Sequence, residues 1–297
     1  MITVHRVSWR AFALVMLLIC WSAEAVDVVD LWEGDPPHSK PSSIEERVIE
    51  NWGVPCVMNI TRPTMTIYPV SGENTGRAIV VLPGGGYEVE SIVEEGRKIG
   101  EFLSSRGITA VVLKYRLPQA EISDTPWLLP ITDARRAVEL TRKLTHSYGI
   151  DPTKVGVVGF SAGGHLAASA SVMPADDPAG VPDFAALVYP AVAPSEANRE
   201  WLEETFFHRP MTEDEISHWD LVGRVDGSTP PTLLIHSYDD DVVPISESLL
   251  WAEAMVDAGR DVEAHYFPLG GHGFGPGRAE DGTDQWLELL ASWIKRQ

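Results

Sequence analysis

Val155-Gly-Val-Val-Gly159-Phe160-Ser161-Ala162-Gly163-Gly-His-Leu-Ala-Ala-Ser-Ala170 decides how the 297-residue chain is read. Its first six residues are a short, continuously apolar run of the kind that forms a strand buried on both faces. The small residues after Ser161 have helical character. Between them lies Gly159-Phe160-Ser161-Ala162-Gly163, a G-x-S-x-G. A serine on so tight a strand-to-helix turn lifts its hydroxyl clear of the sheet, and flanking glycines relieve the crowding. The helix N-terminus beneath favours negative charge at the reacting centre. The same five letters without a strand before them and a helix after them would mean little.

Outward from this turn the chain alternates. Apolar runs rich in β-branched residues recur at 65–68, 78–82, 108–114, 184–189, 232–236 and 262–267, and helix-period segments at 94–105, 132–148, 162–173, 245–258 and 283–295. That alternation predicts a three-layer α/β domain, a mostly parallel sheet with helices on both faces. Residues 193–228 break the rhythm, carry Trp201, Phe206, Phe207 and Trp219, and are expected to form a small cap or an edge insertion. Residues 26–60 read as an extended arm ahead of a catalytic domain over 61–297.

Three further loops follow predicted strands. Pro83-Gly84-Gly85-Gly86-Tyr87 can turn backbone N–H groups towards an anion. Beside Ser161, these glycines and the N–H of Ala162 form an oxyanion hole. With no G-K-S/T after them they are not a nucleotide loop. His236-Ser-Tyr-Asp239-Asp240-Asp241 offers a carboxylate near residue 240 to orient an imidazole, and at least one of its aspartates reads as a solvated turn. A metal site there lacks a histidine pair at ligand spacing. Gly270-Gly271-His272-Gly273-Phe274-Gly275 reads as a mobile loop carrying a general base, and His165, one turn past Ser161, as a packing residue.

Composition narrows the partners. The chain carries 23 Lys+Arg against 43 Asp+Glu, a formal net charge of −20. A balance so acidic excludes nucleic-acid binding and disfavours anionic membranes and polyanions, leaving a neutral ligand. Hydrophobic residues at 44% exclude intrinsic disorder. Arg6 and Arg10, the apolar run 11–19 and Ala23-Glu24-Ala25 read as an export signal over 1–25, so the protein is expected to be secreted or periplasmic, with no stable membrane insertion after cleavage. Cys56 would then be the sole cysteine, and reads as a small buried hydrophobe.

The order Ser161, an aspartate near 240, then His272, each after a successive strand, matches an α/β-hydrolase. Leu82-Pro-Gly-Gly-Gly-Tyr87, Lys114-Tyr-Arg-Leu-Pro118, Asp133-Ala-Arg-Arg136 and Gly159-Phe-Ser-Ala-Gly-Gly-His-Leu-Ala167 resemble secreted bacterial carbohydrate esterases of that superfamily, the acetyl-xylan and feruloyl/acetyl esterases. The resemblance runs from about Met65 to the C-terminus. One departure is Pro83, where many lipases and esterases have histidine. The resemblance implies Ser161 as nucleophile, His272 as base, and Asp240 as acid with Asp239 as fallback. It implies Gly85, Gly86 and Ala162 as oxyanion donors, and no cofactor or metal. Tyr87, Trp201 and Phe274 are expected to line the substrate. The activity implied is a serine esterase for acyl, chiefly acetyl, esters of plant polysaccharide such as xylan or its oligosaccharides. The rival readings are a carboxylesterase or lipase for small esters, a dipeptidyl-type serine peptidase, and a non-catalytic binder on the same scaffold.

Overall fold

Along Val155–Phe160 the side chains alternate between two apolar cores: Val155 and Val157 face one, Val158 and Phe160 the other. Ala78–Leu82 does the same, with Val80 and Leu82 on the first side and Ile79 and Val81 on the second. Both strands are buried along their whole length, so helices must cover both faces. The computed structural model describes residues 26–297. The export signal read over 1–25 lies outside them.

In chain order the strands are β1 (Asp27–Asp30), β2 (Arg47–Asn51), β3 (Val54–Met58), β4 (Thr64–Tyr68), β5 (Ala78–Leu82), β6 (Thr109–Lys114), β7 (Val155–Phe160), β8 (Ala185–Val188), β9 (Thr232–Ser237) and β10 (Val262–Phe267). The helices are α1 (Lys98–Ser105), α2 (Leu129–Lys143), α3 (Thr145–Tyr148), α4 (Ala162–Val172), α5 (Glu196–Leu202), α6 (Glu213–His218), α7 (Ser246–Asp257) and α8 (Trp286–Ile294). The main sheet runs β1-β4-β6-β5-β7-β8-β9-β10, parallel from β6 to β10, with β4 antiparallel to β6 and β1 antiparallel to β4. Helices α2, α4 and α7 pack on one face; α1 and α8 pack on the other through Ile99, Leu103, Trp286 and Leu290.

The chain passes from β5 to β6 on one side, then returns to place β7 on the other side of β5. The loops leaving β5 and β7 therefore diverge at the carboxyl edge, the crevice where open α/β sheets bind ligands. Both Pro83–Tyr87 and Ser161 sit there.

Residues 26–60, read as an extended arm, carry three strands. β1 adds an edge strand to the sheet, and β2 and β3 form a hairpin joined to Glu90 by paired backbone bonds from Val57. The arm is also fixed at a buried ion pair: Arg116 meets both carboxylate oxygens of Asp133, at 2.6 and 2.9 Å. Trp32 Nε1 donates to the same carboxylate, and Arg116 donates to the Pro37 carbonyl and Ser39 hydroxyl. Residues 193–228 fold as α5, a π-helical turn Glu203–Phe207, and α6, whose Thr212 and Glu215 form a capping box. Leu202, Phe206, Phe207, Trp219 and Leu221 join the main core, so this segment is packed into the domain. Cys56 is a buried free thiol. Among the described residues, no helix is long and apolar enough to cross a membrane.

Candidate active site

Ser161 joins β7 to α4 with φ +53° and ψ −116°, a strained backbone for a residue with a Cβ. Its neighbours make the turn possible. A Cβ on Gly159 would lie 1.9 Å from the Gly163 carbonyl oxygen, and one on Gly163 would lie 2.1 Å from that of Leu82. Only hydrogen fits at either place, and the strain holds the hydroxyl at the crevice.

Ser161 Oγ lies 2.8 Å from His272 Nε2, and His272 Nδ1 lies 2.8 Å from Asp240 Oδ2. The Asp240 side chain is fully buried. Its Oδ1 accepts the N–H groups of Val242 and Val243. Burial by itself pushes the carboxyl up, but hydrogen bonds from His236, His272 and Val243 outweigh it and hold Asp240 well below the usual carboxylate range. It is therefore a permanent anion behind the imidazole.

The other aspartates of the run divide as their exposure dictates. Asp239 is exposed and accepts the Gly271 N–H at 2.7 Å, fastening the histidine loop. Asp241 is exposed. The Ser237 hydroxyl donates to the Gly271 carbonyl and Arg278 to that of Gly270, so the loop that reads as mobile is pinned at three points. The sequence reading used His236 to mark the end of its strand and gave it no role of its own. It is fully buried, with Nε2 3.2 Å from Asp240 Oδ2 and 2.9 Å from the Val243 carbonyl, and Nδ1 2.8 Å from Ser248 Oγ. Its place four residues before Asp240, at the end of β9, lets it bond the same carboxylate oxygen as His272.

The triple-glycine loop is held from three sides. The Pro83 carbonyl accepts from the Tyr115 hydroxyl, the Gly84 N–H donates to Glu95 Oε2, and the Gly86 carbonyl accepts from Trp201 Nε1 at 3.2 Å. Gly85, at φ +135°, approaches Val89 so closely that a Cβ would lie 2.2 Å from its carbonyl oxygen. Among the described residues, the N–H groups of Gly85, Gly86 and Ala162 donate to no protein acceptor. They remain free to donate.

The aromatic residues expected to line the substrate are placed differently. Tyr87 and Phe274 are 2% and 4% exposed, so both are packing residues and present no face to a ligand. Tyr87 stacks on Trp201 at 5.5 Å, and its hydroxyl meets His165 Nδ1 at 2.9 Å. Phe274 packs edge-on to Tyr189 at 4.7 Å. Trp201 stays half-buried beside the oxyanion loop. His165 lies among Tyr87, Trp201, Phe206 and Trp219, and burial drives its imidazole down to about 3, so it stays neutral.

The chain is similar to several known proteins. Residues 132–297 match the model of the prolyl oligopeptidase family, and residues 65–178 match a second model, BD-FAE. An acetylxylan esterase of Xylanibacter ruminicola is 34% identical over 227 residues, 74% of this chain and 46% of that protein. The endo-1,4-beta-xylanase B of Butyrivibrio fibrisolvens is 30% identical over 220 residues, 71% of this chain and 34% of its own length. The chain thus spans less than half of either curated relative. Among solved structures, the acetyl ester-xyloside bifunctional hydrolase of Caldicellulosiruptor lactoaceticus superposes with a TM-score of 0.68 at 33% identity, covering 80% of this chain and 89% of that one. Esterase 2 of Thermogutta terrifontis phosphonylated by sarin gives 0.67 at 25% identity, covering 85% and 94%.

Proposed function

The chain belongs to the prolyl oligopeptidase family of α/β-hydrolases, and on that premise we propose that it is a serine esterase removing acetyl groups from plant polysaccharide such as xylan or its oligosaccharides. The observation that carries this reading is the unbroken line of 2.8 Å contacts from Ser161 Oγ through His272 to Asp240 beside three unused N–H groups. His272 Nε2 takes the Ser161 proton as Oγ attacks the ester carbonyl, and Asp240 stabilises the imidazolium that forms. The N–H groups of Gly85, Gly86 and Ala162 receive the oxyanion, each contributing roughly 3 kcal/mol. Collapse expels the sugar alcohol, which takes the proton from His272. Water, deprotonated by the same imidazole, then releases acetate and restores Ser161.

The substrate class draws on the relatives named for acetylxylan and acetyl-xyloside hydrolysis, together with a surface of net charge −20 that suits a neutral polymer. Export through residues 1–25, to the periplasm or the medium, belongs to the same reading. We take residues 61–297 as the catalytic unit, with 193–228 as its insertion. Acetate release from acetylated xylan, compared between wild type and Ser161→Ala, tests the proposal: unchanged release in the variant ends it. A series of acyl esters run beside a peptide anilide separates the rivals. Turnover of simple alkyl esters without acetylated sugar would point to a general carboxylesterase, and cleavage of the anilide alone to a peptidase.

A further inference from the structure

Glu95 lies on the π-helical turn Ile92–Arg97 that precedes α1, and is 5% exposed. Burying a carboxyl is costly unless each oxygen finds a donor. Here Oε2 accepts the Gly84 N–H at 2.7 Å and Oε1 accepts the Tyr189 O–H at 2.7 Å. The Tyr189 oxygen in turn accepts the Gly275 N–H at 3.2 Å. Gly84 opens the oxyanion loop, Tyr189 leaves β8, and Gly275 closes the loop that carries His272. One carboxyl thus stands between two loops that are 183 or more residues apart along the chain and share no strand.

We propose that Glu95 is a positioning residue for the hydrolytic reaction, holding the oxyanion loop with one oxygen and, through Tyr189, the general-base loop with the other. The inference rests on Ser161, His272 and the Gly85–Gly86 loop acting as described above. Several observations support it. The carboxyl is close to the reacting centre: a Cβ on Gly84 would lie 2.8 Å from Oε2 and 3.1 Å from Ser161 Cβ. The Tyr189 ring centre lies 5.0 Å from that of His272, and Tyr189 itself adopts φ +39°, a strained conformation retained at the joint of the relay. The partners also choose the residue type. Both Gly84 and Tyr189 act as donors towards Glu95, and only a carboxylate offers two acceptor oxygens; an amide offers one. The bonds run in one direction, N–H to hydroxyl to carboxylate, so each polarises the next. Burial pushes Glu95 up, and its bonds from Tyr189 and Gly84 oppose that rise.

Glu95→Gln keeps the shape and can still accept the Gly84 N–H, but its NH2 meets Tyr189 only as a donor, which reverses that bond and leaves the Tyr189 O–H without its acceptor. Tyr189→Phe cuts the link to Gly275 and leaves Gly84 bonded. With a chromogenic acetyl ester, each variant is expected to lose about tenfold or more in kcat, with KM changed less than about twofold. The double variant should be no worse than the poorer single one, because both cut the same relay. Labelling of Ser161 by a fluorophosphonate is measured in parallel. A wild type that neither labels nor turns over fails at the esterase reading. A wild type that does both, with variant losses that multiply or with kcat within about twofold of normal, overturns the role of Glu95. Should Glu95→Gln not fold, Tyr189→Phe decides alone, and an unchanged kcat is the adverse result.

Discussion

Adjacent aspartates with different burial do different work. Asp240 lies behind the imidazole with both oxygens occupied, whereas Asp239, one residue earlier, is exposed and fastens the Gly271 backbone. Asp240→Asn is expected to lower kcat on an acetyl ester by about 10⁴-fold, because an amide there favours the wrong imidazole tautomer. Asp239→Asn retains an acceptor for Gly271 and should stay within about tenfold of wild type. If the two results were exchanged, Asp239 would be the acid. The sequence already placed Ser161, His272 and an aspartate near 240 together, because in this fold each follows a parallel strand and points to one edge. It could not say that Tyr87 and Phe274 face inward, since an aromatic residue beside a glycine loop reads the same whether its ring meets core or substrate. Glu95 was hidden, and so were the bonds that His236 makes. A buried polar group is identified by its partners, and those come from other parts of the chain.

The strand-to-helix unit β7–α4 illustrates how tightly an element constrains its residues. Gly163 lies against the carbonyls of Leu82 and Pro83, which end β5. Gly163→Ala would force α4 away from that strand end. The expected cost is about 1–3 kcal/mol in urea unfolding, with turnover falling further than stability because Ser161 sits on the displaced turn. Equal stability and turnover in the variant would mean the turn is more compliant than its contacts indicate. The strands β4 to β10 and the helices α1, α2, α4, α7 and α8 were legible from periodicity. β1, β2 and β3 were not: β1 and β2 are four or five mostly exposed residues with no alternating apolar pattern, and β3 is a short run interrupted by Pro55. The helices of 193–228 were missed for a related reason. They are only six or seven residues long and are held by aromatic contacts to Tyr87, Trp127 and His165, which lie elsewhere in the chain.

At the scale of the whole molecule, buried carboxyls link stability to pH. Glu90 is fully buried; Oε1 accepts the Tyr115 N–H, and Oε2 has no partner among the described residues. Burial raises its carboxyl well above the ordinary 4.5, against the opposing pull of Tyr115 and Lys114. The folded state therefore binds this proton more tightly than the unfolded chain. Its contribution to stability is complete below about 4.5 and is lost as pH rises through the raised value. Glu90→Gln supplies the neutral form at every pH and retains the bond to Tyr115. Its melting temperature should exceed that of wild type at pH 8 by more than at pH 5. The same gap at both would mean that Glu90 is ionised in the native protein.

The last strand has a consequence for how the protein fails. β10 forms one edge of the sheet, bonded among the described residues only to β9 and partly open to solvent, yet the loop it launches carries His272. Fraying of this margin by heat or mild denaturant would withdraw the imidazole while the interior stays intact. Hydrolysis would then fade at a lower temperature than the far-ultraviolet dichroism, making turnover a gauge of how well one border of the molecule holds.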